Sequence, residues 1–287
     1  MCPIDLPTDR KKGVMRMELF KKIIDSLEPH KDRFEALDIF GLGEPLLDPM
    51  IFDRIKYVKD KGFPQSVGFS TNADLLSPEK QKKLLESGLD IVIFSIDGIN
   101  AETHESIRPK TNFHRATKNV LDTIHMRNEG NHKTRFLVRF IRQDANRDQW
   151  EDYKTFWKTK LDFGKGDFIT AYNMHNWGGE CGSKEETLAA TGLRIDPVVE
   201  KKACHKPFQI LVVLADGTVP LCDEDFHHGK YKYGNANDSD VLEIFNSPAF
   251  NKTRELHRSG NKTDMEICKN CTVPYSEPVR EIINNYS

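Results

Sequence analysis

The chain has 287 residues, with 42 Lys or Arg against 44 Asp or Glu, so its formal net charge at pH 7 is −2. This balance indicates neither a nucleic-acid partner nor an acidic membrane surface. The longest apolar runs, such as DIVIFSID and QILVVLAD, are far shorter than the roughly 20 residues that a membrane-spanning helix needs. No signal peptide is recognisable, and we expect a cytoplasmic protein without a nucleic-acid or membrane partner.

The six cysteines are the first indication of chemistry. The cytosol keeps thiols reduced, so a disulfide framework is not expected in such a chain. Metal binding or catalysis is the better expectation.

Apolar strand-like runs alternate with amphipathic helical runs along the first part of the chain. The runs that predict strands are EALDIFG, SVGFSTN, DIVIFSID, RFLVRFIR and DFITAYN. The runs that predict helices are MELFKKIIDSL, PMIFDRIKYVKDKG, SPEKQKKLLESG, HRATKNVLDTIHM and DQWEDYKTFWKTKL. Gly62 and Gly88 are predicted C-terminal caps, and Ser77 before Pro78 is a predicted N-cap. The alternation predicts an α/β fold whose parallel strands are joined by helices.

Polar residues and glycines follow the first three predicted strands. The candidates at these strand ends are Gly43, Glu44 and Pro45 in FGLGEPLLDP, Ser70, Thr71 and Asn72 in FSTNADLL, and Ser95, Asp97 and Arg108 in FSIDGINAETHESIRP. Each stretch alone is also what an ordinary turn requires. Their shared place at successive carboxyl ends favours a ligand-binding edge, because these ends meet at one side of a parallel sheet.

The C-terminal part has a different pattern, with short strands, turns and cysteines. Cys204 and Cys222 flank a predicted β-hairpin that turns at Asp216 and Gly217. Cys268 and Cys271 form a C-x2-C pair, whose spacing lets both thiolates face one metal. The spacing fits either a structural zinc or an iron–sulfur cluster and does not decide between them.

The strand-end motifs resemble those of radical SAM enzymes. FGLGEPLL, STNA, and SIDG with the downstream IRP are similar to the stretches with which this family binds S-adenosylmethionine. The family holds a [4Fe-4S] cluster with a C-x3-C-x2-C loop that often ends in MCP, so the resemblance gives Cys2 of MCPID the place of the third cysteine. The two earlier cysteines and the strand before them are missing. We expect a reading of the gene truncated at its N-terminus. The alternative is a degenerate protein that has lost SAM chemistry.

The C-terminal cysteines resemble the beginning of a SPASM domain, an auxiliary-cluster module of radical SAM enzymes. Cys204, Gly217, Cys222, GN, IFNSPAF and the final C-x2-C carry this resemblance. No cysteine follows Cys271, which resembles the shortened twitch form with one auxiliary [4Fe-4S] cluster. The resemblance favours iron–sulfur over zinc and leaves Cys181 as a bystander.

The resemblance implies a partial (β/α)6 TIM-like barrel without its first strand. We expect the barrel at residues 1–180, a linker at 181–203 and an auxiliary-cluster domain at 204–287.

The implied reaction is reductive cleavage of S-adenosylmethionine, which gives a 5'-deoxyadenosyl radical that abstracts hydrogen from a substrate. The expected substrate is a small polar molecule such as a sugar or aminocyclitol, and a flavodoxin- or ferredoxin-type protein would donate the electrons. Arg139, Tyr172 and His175 are candidate bases by position, and Trp177 and Glu180 are candidate pocket residues beside His175. The alternatives are a peptide- or protein-modifying maturase and a non-catalytic iron–sulfur scaffold.

Overall fold

The computed structural model describes residues 2–8, 10, 12–63, 66–276 and 281–283. The chain divides into two compact units. We call the first the sheet unit, made of His30–Phe40, Glu44–Asn173 and Val279–Ser287. We call the second the cysteine unit, made of Met1–Pro29, Gly41–Gly43 and Met174–Pro278. No helix among the described residues is long and apolar enough to cross a membrane.

The sheet unit is built on parallel strands joined by helices. Its strands are β1 (Leu37–Asp38), β2 (Val67–Thr71), β3 (Ile91–Ser95), β4 (Arg135–Arg142) and β5 (Phe168–Asn173), which pair in this order. Its helices of the α type are α2 (Ile51–Asp60), α3 (Pro78–Glu86), α4 (Ala101–Ile107), α5 (Phe113–Glu129) and α6 (Trp150–Lys158), numbered after α1 of the cysteine unit. This α/β arrangement and the predicted strand order are confirmed.

The core of the sheet unit comes from the continuously apolar strands. Phe69, Phe94, Phe136 and Phe140 are all fully buried between the sheet and its helices. Helices cover these rings: Arg127 of α5 lies over the Phe136 ring, and Trp150 and Tyr153 of α6 contact Phe140. The predicted caps are also confirmed: Ser77 accepts a hydrogen bond from the Lys80 amide at the start of α3. Gly62 and Gly88 follow α2 and α3 with φ of +65° and +79°, in the left-handed region that favours glycine.

A buried ion pair joins α5 to the strands that follow it. Arg127 donates from Nη1 and Nη2 to the two carboxylate oxygens of Asp167, at 2.7 and 2.6 Å. Both side chains are completely buried, and Asp167 also accepts from the Phe136 amide at 2.8 Å. Because every charged atom has a partner, the pair fixes the amino ends of β4 and β5 in one register.

The cysteine unit consists mainly of short elements. Its helices are α1 (Met17–Leu27), α7 (Lys184–Ala190), α8 (Pro197–Lys201), α9 (Lys206–Gln209), α10 (Val241–Phe245), α11 (Pro248–Arg258), α12 (Glu266–Asn270) and α13 (Val273–Ser276). Its strands β6 (Thr218–Val219) and β7 (Gly234–Asn235) pair antiparallel. Short 3-10 turns at Trp177–Gly179, Asp223–Asp225 and Lys262–Asp264 lie between them.

The prediction of a β-hairpin between Cys204 and Cys222 is wrong about which segments pair. The turn itself forms, since Gly217 donates to Leu214 and has a φ of +90°. However, β6 pairs with β7, and the chain before the turn contributes the helix α9 and a single hydrogen bond from Leu214 to Thr218. The apolar run QILVVLAD therefore packs without forming a strand of its own.

Two elements of the sheet unit were not predicted. Helix α4 lies inside the stretch read as a strand end, with Asn100 accepting from the Thr103 amide as its N-cap. Strand β8 (Glu281–Ile283) pairs antiparallel with β5 at the end of the sheet. Its run EII is too short and too polar in its surroundings to give a strand signal.

Candidate cluster and cofactor sites

Glu44 fixes the loop that follows β1. Its Oε1 accepts from the Leu46 amide at 3.1 Å and from the Thr71 hydroxyl at 2.6 Å, and its Oε2 accepts from the Asn72 amide at 2.9 Å. Burial raises the pKa of Glu44, although these hydrogen bonds oppose the rise. Pro45 begins the short 3-10 turn after Glu44 and is buried. Gly43 has a φ of +117°, which only glycine adopts readily.

Ser70 and Ser95 form a polar floor at the ends of β2 and β3. Their hydroxyl oxygens lie 3.1 Å apart, and both side chains are buried. Arg139 on β4 donates from Nη2 to Ser70 at 2.7 Å and to Ser95 at 2.9 Å. Three predicted site residues from three neighbouring strands therefore meet at one point of the sheet unit.

Asp97 is buried and fully engaged with its own unit. Its Oδ2 accepts from Arg108 Nε at 2.6 Å, and its Oδ1 accepts from the Ile141 amide at 2.7 Å. The carboxylate thus ties the loop after β3 to β4. It orients Arg108, whose side chain is 20% exposed.

The guanidinium groups of Arg108 and Arg139 lie at the strand ends together with the carboxylates of Glu44 and Asp97. Burial and the neighbouring Arg108 both lower the pKa of Arg139. Arg139 Nε is buried without a hydrogen-bond partner among the described residues. A buried guanidinium with an unsatisfied donor is suited to an anionic ligand group such as a carboxylate. Tyr172 lies on β5 opposite Ile141 of β4.

Four cysteines of the cysteine unit line one cavity. They are Cys204, Cys222, Cys268 and Cys271, from the loop before α9, the end of the β6 segment and the two ends of the C-x2-C pair. Burial raises the pKa of Cys222 and Cys271 and raises that of Cys268 to about 12. Metal binding would displace the protons of these thiols, and four cysteines that line one cavity are a donor set that fits a cluster or metal with protein ligands throughout.

His257 from α11 also lines this cavity and contacts two of the cysteines. Its Nδ1 lies 3.3 Å from the Cys204 amide nitrogen, and its Nε2 lies 3.6 Å from Cys268 Sγ. The side chain is 1% exposed, and burial lowers its pKa to about 4. Lys262 lines the same cavity, with its Nζ bound to the carbonyls of Val199 and Lys202.

A buried carboxylate links the cavity to His175. Glu224 accepts from Lys206 Nζ at 2.7 Å and lies 2.8 Å from His175 Nδ1. Burial would raise the pKa of Glu224, but Lys206 and His175 together lower it to about 2. Lys206 and Glu224 both line the cysteine cavity. His175 also packs on the Trp177 ring, with 4.7 Å between the ring centroids.

The remaining cysteines stand apart from the four-cysteine cavity. Cys2 is exposed and Cys181 is partly exposed. Burial raises the pKa of Cys181. The adjacent Glu180 is already ion-paired, at 3.0 Å to His228 and 3.3 Å to Lys230.

The sequence predicted that the four cysteines form one site, but it did not predict that Glu224, Lys206 and His257 line the same cavity. Lys206 and Glu224 each lie two residues after a predicted cysteine ligand, and this proximity was the available signal. His257 lies in the middle of a polar helix and has no spacing relation to the cysteines.

Two family profiles match the chain. The profile of the radical SAM superfamily matches residues 1–138, and the SPASM profile, described as an iron-sulfur cluster-binding domain, matches residues 204–272. Together they imply [4Fe-4S] clusters as cofactors. The second match covers all four cysteines of the cavity.

Curated relatives match over short regions. A tungsten-containing aldehyde ferredoxin oxidoreductase cofactor-modifying protein of Pyrococcus furiosus is 39% identical over 87 residues, which are 30% of this chain and 24% of the relative. An AdoMet-dependent heme synthase of Methanosarcina barkeri is 44% identical over 70 residues, 24% of this chain and 20% of the relative. The matches thus span about a quarter or less of the length of these two relatives.

Solved structures match over most of the chain. BtrN in complex with AdoMet and 2-DOIA has a TM-score of 0.58 at 17% identity, covering 94% of this chain and 85% of that one. Streptococcus suis SuiB bound to precursor peptide SuiA has a TM-score of 0.60 at 13% identity, covering 91% and 67%. At identities this low, the structural likeness establishes the fold alone. With both profiles and this fold, the chain belongs to the radical SAM superfamily and carries a SPASM-type iron–sulfur domain.

Proposed function

We propose that the chain acts in a radical SAM oxidoreductase that oxidises a small polar substrate, such as a sugar or an aminocyclitol. The supporting observation is the link from Lys206 through Glu224 to His175 beside the four-cysteine cavity. Oxidation of an alcohol removes a hydrogen atom from carbon, a proton from oxygen and one further electron. The cysteine unit offers a proton acceptor and a cluster site next to one another.

When bound, S-adenosylmethionine would supply the hydrogen-abstracting radical, and an auxiliary [4Fe-4S] cluster would supply an acceptor for the remaining electron. Cys204, Cys222, Cys268 and Cys271 would hold that auxiliary cluster. Their shared place around one cavity fits cluster ligands, because the positive charge of a bound cluster would stabilise their thiolate forms.

His175 is the residue we assign to proton removal from the substrate hydroxyl. Its Nδ1 is oriented by the buried carboxylate of Glu224, which also stabilises the protonated imidazole that forms. The same carboxylate is held by Lys206, so it cannot turn away from its partner. Trp177 restricts the ring further by packing on its face.

The sheet unit would bind S-adenosylmethionine at its strand ends. Arg139 has an unsatisfied buried Nε and two serine partners, which suits the carboxylate of the methionine part. Glu44 holds the backbone of Asn72 and Leu46 in place. We assign Arg139 to cofactor binding in preference to base catalysis, because a guanidinium keeps its proton. Tyr172, at the end of β5, is a second candidate for contact with the substrate.

The cluster that cleaves S-adenosylmethionine needs three cysteine ligands in its loop. This chain contributes Cys2 to that motif, and one thiolate does not hold four irons. We therefore derive no step through that cluster from the residues of this chain.

Peptide modification is the second candidate. It is favoured by the fold likeness to SuiB bound to its precursor peptide, with a TM-score of 0.60. A non-catalytic iron–sulfur scaffold is the third, because the strand-end site could bind S-adenosylmethionine without turnover. The number of clusters separates the third from the other two.

The test is iron and sulfide per chain after anaerobic reconstitution. It is made on this chain and on a longer version that carries the whole C-x3-C-x2-C loop. About four irons here and about eight in the longer version would support two cysteine-ligated [4Fe-4S] sites. About four in both, or one zinc and no iron, would exclude the radical chemistry. If two clusters are present, the substrate class is decided by incubation with deuterium-labelled sugars and, separately, with deuterium-labelled peptides. The true substrate class transfers deuterium into 5'-deoxyadenosine.

A further inference from the structure

His257 bridges two of the four cysteines that line the cavity of the cysteine unit. It lies on α11, and its ring contacts Cys204 with one nitrogen and Cys268 with the other. We propose that His257 donates an N–H···S hydrogen bond to the Cys268 ligand of the auxiliary cluster and so raises the reduction potential of that cluster. This inference rests on the proposed function, because it requires an iron–sulfur cluster in the cavity.

The contacts of the ring fix its tautomer. The partner of Nδ1 is the backbone amide of Cys204, at 3.3 Å, and an amide nitrogen can only donate. Nδ1 is therefore the acceptor and carries no proton. In a neutral imidazole the proton then resides on Nε2, which faces Cys268 Sγ at 3.6 Å. Hydrogen bonds to sulfur are longer than those to oxygen, and this distance is within their range.

The surroundings keep the ring in this position. Its side chain is 1% exposed, and it packs edge to face with Phe208 at 6.4 Å between centroids and an interplanar angle of 82°. The ring also joins the first cysteine of the set to the third, which are 64 residues apart by their numbers, 204 and 268. A histidine needed only to cap the Cys204 amide would leave its second nitrogen without a partner at a buried site.

A donor at a cluster sulfur changes the potential in a known direction. Reduction adds negative charge to the cluster and its thiolates, so a hydrogen bond to sulfur stabilises the reduced form more than the oxidised form. The neutral ring delivers this effect at one sulfur. Lys206 and Lys262 bring positive charge to the same cavity and act in the same direction, but both are held by oxygen partners.

Two variants separate the donor function of Nε2 toward Cys268 from the acceptor function of Nδ1 toward the Cys204 amide. In H257N the amide oxygen can replace Nδ1 as acceptor for the Cys204 amide, but the side chain is too short to reach Cys268. In H257Q the longer amide can again place an N–H near the sulfur. We expect H257N to lower the equilibrium constant for reduction about tenfold, equal to about 59 mV for a one-electron couple. H257Q should recover most of this loss, and H125N, at an exposed histidine of α5, should leave the potential unchanged.

The potentials are measured by redox titration with EPR detection on the iron-loaded chain. Equal potentials in the wild type and H257N, with iron content unchanged, would overturn the proposal. A second measurement needs no variant: pulsed EPR of the reduced wild-type cluster should detect an exchangeable proton and a histidine nitrogen coupled to it. If the cluster forms without this coupling, the proposal fails and the proposed function stands. If no iron–sulfur cluster forms in the wild type, both fail.

Discussion

The two carboxylate oxygens of Glu224 each contact a different basic side chain: Oε1 accepts from Lys206 at 2.7 Å, and Oε2 lies 2.8 Å from His175 Nδ1. Glu224 is 3% exposed, and burial alone would raise its pKa. The two basic partners instead lower its pKa to about 2. The position of His175 therefore depends on a charge that the fold creates by burying a lysine beside it.

This relation predicts an acid dependence of stability. A carboxyl group whose folded-state pKa is depressed stabilises the fold above its unfolded pKa, near 4.5, and this contribution is lost as the pH falls toward 2. We expect E224Q to lose this dependence. At neutral pH it should be less stable by about 3 kcal/mol, because Lys206 loses a buried partner. Urea denaturation between pH 3 and pH 7 measures both effects. E79Q, at an exposed position on α3, is the control and should follow the wild type at neutral pH.

His175 should be needed for product formation but not for cleavage of S-adenosylmethionine. In the longer chain with its complete cysteine loop, we expect H175Q to lower oxidised product about 100-fold, the loss typical of a removed general base. 5'-Deoxyadenosine should still form, because hydrogen abstraction precedes the proton transfer. Quantifying both products by mass spectrometry tests this. An equal loss of both products would mean that His175 serves binding or folding, and H125Q is the matched control.

Arg139 should control the affinity for S-adenosylmethionine. A charge-assisted hydrogen bond contributes about 1.5–3 kcal/mol, so R139Q should weaken binding by roughly tenfold or more. Isothermal titration calorimetry of the reconstituted protein measures this directly. R135Q changes the same residue type at the first residue of β4 and should leave the affinity unchanged. Unchanged affinity in R139Q would place the cofactor elsewhere.

Arg127 and Asp167 should be among the most sensitive positions for stability. Removing one partner leaves a buried charge without its counter-charge, so R127A or D167A should cost about 3–5 kcal/mol in the free energy of unfolding. The double variant R127M/D167A should cost less than the sum of the single changes, because neither charge remains buried alone. The matched control is the Lys118 to Asp122 pair on α5, whose side chains are 73% and 40% exposed. Its removal should change stability by about 1 kcal/mol or less.

The fold was predictable where local patterns agree with the final contacts. Phe69, Phe94 and Phe136 lie in apolar runs and are fully buried, and Ser77 followed by a proline begins α3 as expected. The prediction of the hairpin failed because β6 pairs with Gly234 and Asn235 of β7, and this tertiary contact lies outside the predicted hairpin. Local turn chemistry at Gly217 carries no information about that partner.

The candidate sites were predictable to a similar degree. The four cysteines could be grouped from their order, and Ser70 and Ser95 from their place at strand ends. His257 could not be found, because its role depends on a helix face turned toward residues far away in the chain. In the sequence Glu224 is one of three consecutive acidic residues, DED, and nothing there distinguishes it from its neighbours. Its burial appears only in the folded chain.

The pairing of β8 with β5 determines the order in which the chain can complete its fold. Strand β5 ends at Asn173 and β8 begins at Glu281, and most of the cysteine unit lies between them in the sequence. During synthesis the ribosome must therefore release more than a hundred residues, counted from those two positions, before the edge of β5 receives its partner. Until then the edge presents unpaired backbone groups.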